Sequence, residues 1–167
     1  IFAFFKPRLE TRDMAIRMLL IISGSYGAYA LGANNLANVT GPFTGEGMLS
    51  PTQAILLGSL SITAGVLTYS KNVMYTVGKD IVPLDAFTAL IAILAEATTV
   101  HLFALVGVPV STSQAIVGAV LGIGFIKGVR TINTLTLSRI GAGWVLTPVY
   151  ACLISTMLIL GYYRLSL

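Results

Sequence analysis

Charge is scarce in this chain. Of 167 residues 10% are charged and 56% hydrophobic, and the mean hydropathy is +0.89, which leaves too little polar surface to clothe a soluble domain of that size. An integral membrane protein follows. There is one Cys, one His and one Trp, which excludes a disulfide-stapled domain and a clustered Cys/His zinc site. Cys152 lies in an apolar run, where a lone thiol packs as a small hydrophobe. Ten Lys and Arg against six Asp and Glu give a net charge of +4, but the basic residues fall between apolar runs and form no dense patch with interleaved aromatics. Nucleic-acid binding is therefore not expected. The chain also lacks a GxxxxGK[ST] loop, so nothing supports ATP hydrolysis.

What the chain has is length without charge. A membrane helix needs roughly 20 mostly apolar residues at about 1.5 Å rise each, and five windows come near that: Met14 to Leu31, Thr52 to Tyr69, Leu84 to Val106, Val110 to Ile126 and Ile140 to Tyr162. The basic residues sort by topology. Lys6, Arg8, Arg12 and Arg17 precede the first window, Lys71 and Lys79 separate the second and third, and Lys127, Arg130 and Arg139 separate the fourth and fifth. Five crossings place all three clusters on the cytoplasmic side, with Arg164 alone left over. Residues 1–13 then read as the end of a cytoplasmic linker, and 14–167 as a transmembrane unit of about five segments. An odd number of crossings means that a second copy fused in series would insert upside down and make an inverted repeat. The opening residues lack an initiator Met and the order of a signal peptide, as expected of a chain cut from something longer.

Two windows carry polar breaks. The first reads GANNLANVTGPFTGEG from Gly32 to Gly47, where each unpaired amide in an apolar setting is costly without a partner or ligand. If the helix continues through them, Asn34 and Asn38 share a face with Asn35 beside it, and three side-chain carbonyls can converge on a small hard cation such as sodium. Gly41 and Pro42 are expected to interrupt the helix. The alternative is an interhelical amide network that binds nothing. In the second break, GVPVSTSQAIVGAVLGIG from Gly107 to Gly124, Pro109 precedes Ser111, Thr112 and Ser113 and then an apolar run. That pattern starts a helix, and its free N–H groups, dipole and three hydroxyls suit an oxyanion such as phosphate, with Gln114 adding an amide donor. A plain Ser/Thr cap is the alternative.

Glu96 lies near the middle of the third window, where an ionised carboxylate needs a partner; sodium coordination, proton carriage and a neutral interhelical hydrogen bond all fit. His101, five residues on, reads as structural, and Asp80 and Asp85 as cap or loop charges. Gly118, Gly122, Gly124 and Gly128 have spacings that allow close helix crossing.

The segment GANNLANVTGP, Gly32 to Pro42, resembles the GANDxANxxGP signature of the inorganic phosphate transporter (PiT) family, and GVPVSTSQAIVGAVLG, Gly107 to Gly122, resembles its GxPVSTTHxxxGxxxG companion. With the intervening GKDIVPLDAF and Glu96, the likeness covers nearly the whole chain. The resemblance implies an all-α integral membrane symporter of inorganic phosphate with broken or re-entrant helices, driven by sodium or protons, built of two inverted repeats and often dimeric. This chain resembles the second repeat, so an amino-terminal half of the same transporter is an expected partner, along with a second protomer and membrane lipid. Asn38, Ser111, Thr112, Ser113 and Gln114 become candidate phosphate residues, and Asn34, Asn35 and Glu96 candidate cation ligands. Two positions depart: Asn35 stands where the signature has Asp, and Gln114 where it has His. These leave one fewer charge for sodium and no imidazole for a proton relay, and they leave room for sulfate. The expectation is a carrier in the cell membrane, not an enzyme, with no cofactor beyond the coupling sodium. A permease for another oxyanion and a non-transporting scaffold stand as alternatives.

Overall fold

Each apolar window becomes a helix, and the helix ends are written in local chemistry. A computed structural model describes residues 9–165; of the expected linker end, residues 1–8 lie outside the described residues. The helices are α1 (Leu9–Gly45), α2 (Pro51–Tyr75), α3 (Ala86–Val106), α4 (Thr112–Lys127) and α5 (Thr134–Leu165), with a π-helical segment at Thr76–Ile81 and a 3-10 turn at Val129–Thr131. Ser50 opens α2: its side chain accepts the Gln53 N–H, Gln53 answers on the Ser50 N–H, and Pro51 takes the first turn, where it needs no donor. Asp85 and Thr88 make the same reciprocal cap on α3. At the other end Gly107 turns left-handed at φ 76°, and Pro109 two residues on prevents continuation. Ser and Thr side chains inside the helices mostly bond back onto their own turn, as Ser23 does to the Leu19 carbonyl (2.6 Å) and Thr40 to that of Leu36 (2.7 Å). Hydroxyls so satisfied are tolerable in lipid.

Among the described residues four helical stretches are long and apolar enough to cross a membrane, while Thr112–Lys127 is shorter. Large apolar side chains such as Leu67, Leu105 and Met157 lie exposed along them, an arrangement that water would oppose and lipid or another protein surface would accept. The protein is an all-α membrane protein.

The chain divides into two units, the first ending at Ile132 and the second beginning at Asn133. The second is α5, opened by the Asn133 side chain accepting the Thr136 N–H (3.1 Å). It carries Pro148 within the helix, exposed Cys152, and edge-to-face Tyr162 and Tyr163 near its end. In the first unit α1 and α3 run parallel, Gly27 facing Ile93, Glu96 and Ala97 while Tyr26 meets His101 further along. Helix α4 returns antiparallel along α3, so that Lys127 at its end reaches Asp85 at the start of α3 (3.1 Å). The buried side chains Ala30, Leu90, Ala92, Ala97, Val100, Val117 and Val120 fill this three-helix core.

The expected interruption at Gly41–Pro42 does not occur. Helix α1 runs through Pro42 to Gly45, because proline's fixed φ is helical and its missing N–H removes only one bond, that to the Asn38 carbonyl. Its 37 residues extend about 55 Å, well beyond a hydrocarbon core of about 30 Å. The glycine reading also narrows. Of the four singled out along α4 and at its cap only Gly124 is closely packed; a Cβ there would lie 2.8 Å from Ile132 Cγ1 and 2.9 Å from Val82 Cγ2, whereas Gly118, Gly122 and the capping Gly128 face open space in this chain. Gly124→Ala is therefore expected to cost about 1–3 kcal/mol by overpacking against the stiff, buried Val82. Thermal unfolding in detergent should show the loss for Gly124→Ala and little change for Gly122→Ala; equal effects would count against this packing.

Asp85 accepts the backbone N–H groups of Thr88 (2.9 Å) and Phe87 (3.0 Å) besides pairing with Lys127. The Thr88 backbone bond first, then Lys127, hold its carboxyl below the ordinary 3.8, at about 2. A depressed acid stabilises the fold above its unfolded value, and the contribution fades as pH falls through the folded value. The stability difference between the native chain and Asp85→Asn should thus be constant above about pH 5 and shrink steadily as the pH falls through about 4 to 2, measured as thermal midpoint against pH. A difference that stays flat to pH 2 would contradict the cap.

Candidate substrate and ion site

The two polar breaks meet. Asn34 is 4% exposed, and its side-chain amide pairs with the peptide unit of Val110: Nδ2 donates to the Val110 carbonyl (2.8 Å) and Oδ1 accepts the Val110 N–H (3.3 Å). The other Nδ2 hydrogen goes to Asn35 Oδ1 (3.0 Å). Both donors of the amide are spent, and one acceptor lone pair remains. Asn34 therefore clasps the loop ahead of α4, holding the second break against the first. Val110 was not singled out from the sequence, and no local signal could do so, because its partner lies 76 residues away.

The clasp fixes where α4 begins. Ser111 is extended (φ −79°, ψ 112°), its Oγ accepts the Gln114 N–H (3.3 Å), and it shares a hydrogen bond with Ser113 Oγ (3.0 Å). Ser111, Ser113 and Gln114 are exposed and Thr112 half-buried. The expected cap is thus present, made by one hydroxyl of the three. Thr112 and Ser113 N–H groups lie in the first turn, where no helix carbonyl precedes them. Together with the exposed hydroxyls they present donors and the positive end of the dipole to one side, an arrangement chemically suited to an anion. Asn38 is exposed, one turn beyond Asn34 on α1, and makes no side-chain hydrogen bond among the described residues.

Glu96 stands apart from this group. Its carboxylate lies 3.8 Å from the place a Cβ on Gly27 would occupy, and Gly27 precedes Asn34 by seven residues, about 10 Å along the helix. The structure therefore brings Asn34, Asn35 and the Ser111 turn together but places Glu96 two turns away. The partner expected for Glu96 is not found among the described residues; on α1 it lies beside Gly27, which has no side chain to pair with it. Between the two positions, Tyr26 Oη and His101 Nδ1 are 2.7 Å apart, and the Tyr29 ring meets the imidazole edge-on at 5.6 Å. That contact ties α1 to α3 at this level and matches the structural reading of His101. Among the described residues no three His, Cys, Asp or Glu side chains converge.

The profile of the phosphate transporter family matches residues 5–155. The chain belongs to that family. It is a family of transporters, not of enzymes, and both segments joined by the clasp lie within the match. Over 157 residues the chain is 34% identical to a protein of Pyrococcus abyssi provisionally named a phosphate permease, covering 87% of this chain and 39% of that protein. A protein of Haemophilus influenzae with the same provisional name is 34% identical over 166 residues, covering 86% and 40%. Sodium-dependent phosphate transporter 2 of Xenopus laevis is 28% identical over 162 residues, covering 89% and 25%. The chain thus spans about two fifths of the prokaryotic relatives and a quarter of the amphibian one. No solved structure matches it.

Proposed function

We propose that this chain is the second inverted repeat of a cation-coupled symporter of inorganic phosphate, with sodium as the coupling ion, in the cell membrane. The observation that carries the reading is the Asn34–Val110 clasp, which joins the two signature segments and fixes the helix start at Ser111. Phosphate is received by Ser111, Thr112 and Ser113, with Asn38 and Gln114 as neighbouring amide groups. A site of neutral donors suits a carrier, which must release its anion as well as bind it. Asn34 acts mainly as the residue that positions this site, while Asn35 and Glu96 supply oxygens for the cation. Glu96 lies too far from the clasp to share one ion with Asn35, so the two carry separate cation positions or act at different stages of alternating access. The amino-terminal half of the transporter supplies the other wall, and the complete protein works as a dimer. Sodium coupling is supported by the name of the amphibian relative.

The test is phosphate uptake into vesicles holding the complete protein, with sodium and pH gradients imposed separately and sulfate as competitor. Accumulation should follow the sodium gradient and resist sulfate. Equal uptake with no sodium gradient, no pH gradient and no membrane potential would refute symport, and equal competition by sulfate would refute phosphate as the preferred anion.

A further inference from the structure

At the opposite end of α3 from the clasp, the junction of α2, the π-helical segment and α3 forms an open groove of about 570 Å³ lined by Lys71, Met74, Tyr75, Gly78, Lys79, Leu84 and Ala89. Its walls are apolar, and its charged residues are two lysines with no acid among them. The Lys79 ammonium lies over the Tyr75 ring, 5.0 Å from its centre, which fixes one cation at the mouth. Neither Lys71 nor Lys79 forms an ion pair among the described residues. Of the acids near them in sequence, Asp85 is taken by Lys127 and by the cap of α3, and Asp80, next to Lys79, forms no ion pair with either lysine among the described residues. π-Helical segments of this kind recur at functional sites.

We propose that this groove binds the headgroup and upper acyl chain of an anionic phospholipid. The charge pattern asks for an anion, and the basic clusters place this end of the helices on the cytoplasmic side, where anionic lipids concentrate. The apolar walls decide between anions. Inorganic phosphate would satisfy the lysines but leave Met74, Leu84 and Ala89 facing water, whereas a phosphodiester with an acyl chain covers both. Basic pockets between membrane helices on the cytoplasmic side commonly take such headgroups. This site lies away from the Ser111 turn and does not depend on the transport reading.

The test uses the complete protein in phosphatidylcholine nanodiscs with phosphatidylglycerol as a minor component, native mass spectrometry counting the phosphatidylglycerol that stays bound after release. The unaltered protein should retain it, Lys71→Gln with Lys79→Gln should weaken retention about tenfold or more, and Lys71→Arg with Lys79→Arg should restore it. Ala89→Phe, which fills the groove and leaves both lysines, should also lose the lipid. Excess inorganic phosphate should not displace it. Undiminished retention in the double glutamine variant or in Ala89→Phe overturns the assignment, and so does displacement by inorganic phosphate, which would make this a free-anion site.

Discussion

Asn34→Leu is expected to lower phosphate uptake about a hundredfold or more, since an unmatched part-buried N–H and carbonyl at Val110 cost about 1–3 kcal/mol each. The side chain is 4% exposed, so water cannot easily take its place. With the clasp gone, the loop from Gly107 to Ser111 loses its anchor on α1, and the start of α4 is no longer held against the first signature. Asn34→Asp makes the argument sharper. Its carboxylate still accepts the Val110 N–H, yet it sets an oxygen against the Val110 carbonyl where the amide now donates at 2.8 Å, so it should fail nearly as badly despite matching in shape. The measurements are initial uptake rate in proteoliposomes and thermal midpoint in detergent. If Asn34→Leu transports normally at an unchanged midpoint, the clasp has no role in either.

Ser113→Asp should separate binding from stability. Ser113 is exposed in the first turn of α4, where a carboxylate favours the helix by about 0.3–1 kcal/mol through the dipole. The same carboxylate would stand where we propose that phosphate binds, and two like charges about 4 Å apart repel by about 4 kcal/mol at an effective dielectric near 20. Uptake should therefore fall by about a hundredfold or more while the thermal midpoint holds or rises slightly. A merely structural helix cap predicts the same midpoint with uptake untouched. Thermal shift with added phosphate gives an independent reading, because the variant should lose any protection the native protein shows.

These two residues show how unevenly the site could be read in advance. The helix start at Ser111 was legible because caps are local: a proline, three hydroxyl residues and an apolar run predict it within a single turn. The role of Asn34 was not. Spacing placed Asn34 and Asn38 on one face and suggested a shared cation, but the Asn34 amide is occupied by a peptide unit 76 residues away. Proline at 42 misled in another way. Its missing donor signals a break, yet a helix can lose a single hydrogen bond and continue when the rest of its turns are made.

Glu96 gives the same lesson with the opposite outcome. A carboxylate in the middle of an apolar window is conspicuous, and its cost argues for a partner. The sequence cannot say which surface it meets, and in the fold it lies beside Gly27 of a parallel helix.

By itself the sequence determined the class and the family. An apolar majority with 10% charge requires lipid around it, helix lengths follow from uncharged runs, helix ends from caps and prolines, and the two signature segments carry the kinship. All of these are set by composition or by neighbours within a turn or two. Only the tertiary structure decided that the signatures are joined through Asn34 and Val110, that Glu96 stands two turns from them, and that Gly124 alone of the four glycines in and after α4 is tightly packed. Those facts depend on which helix faces lie together, and such pairings join residues too distant in the chain for local propensity to encode.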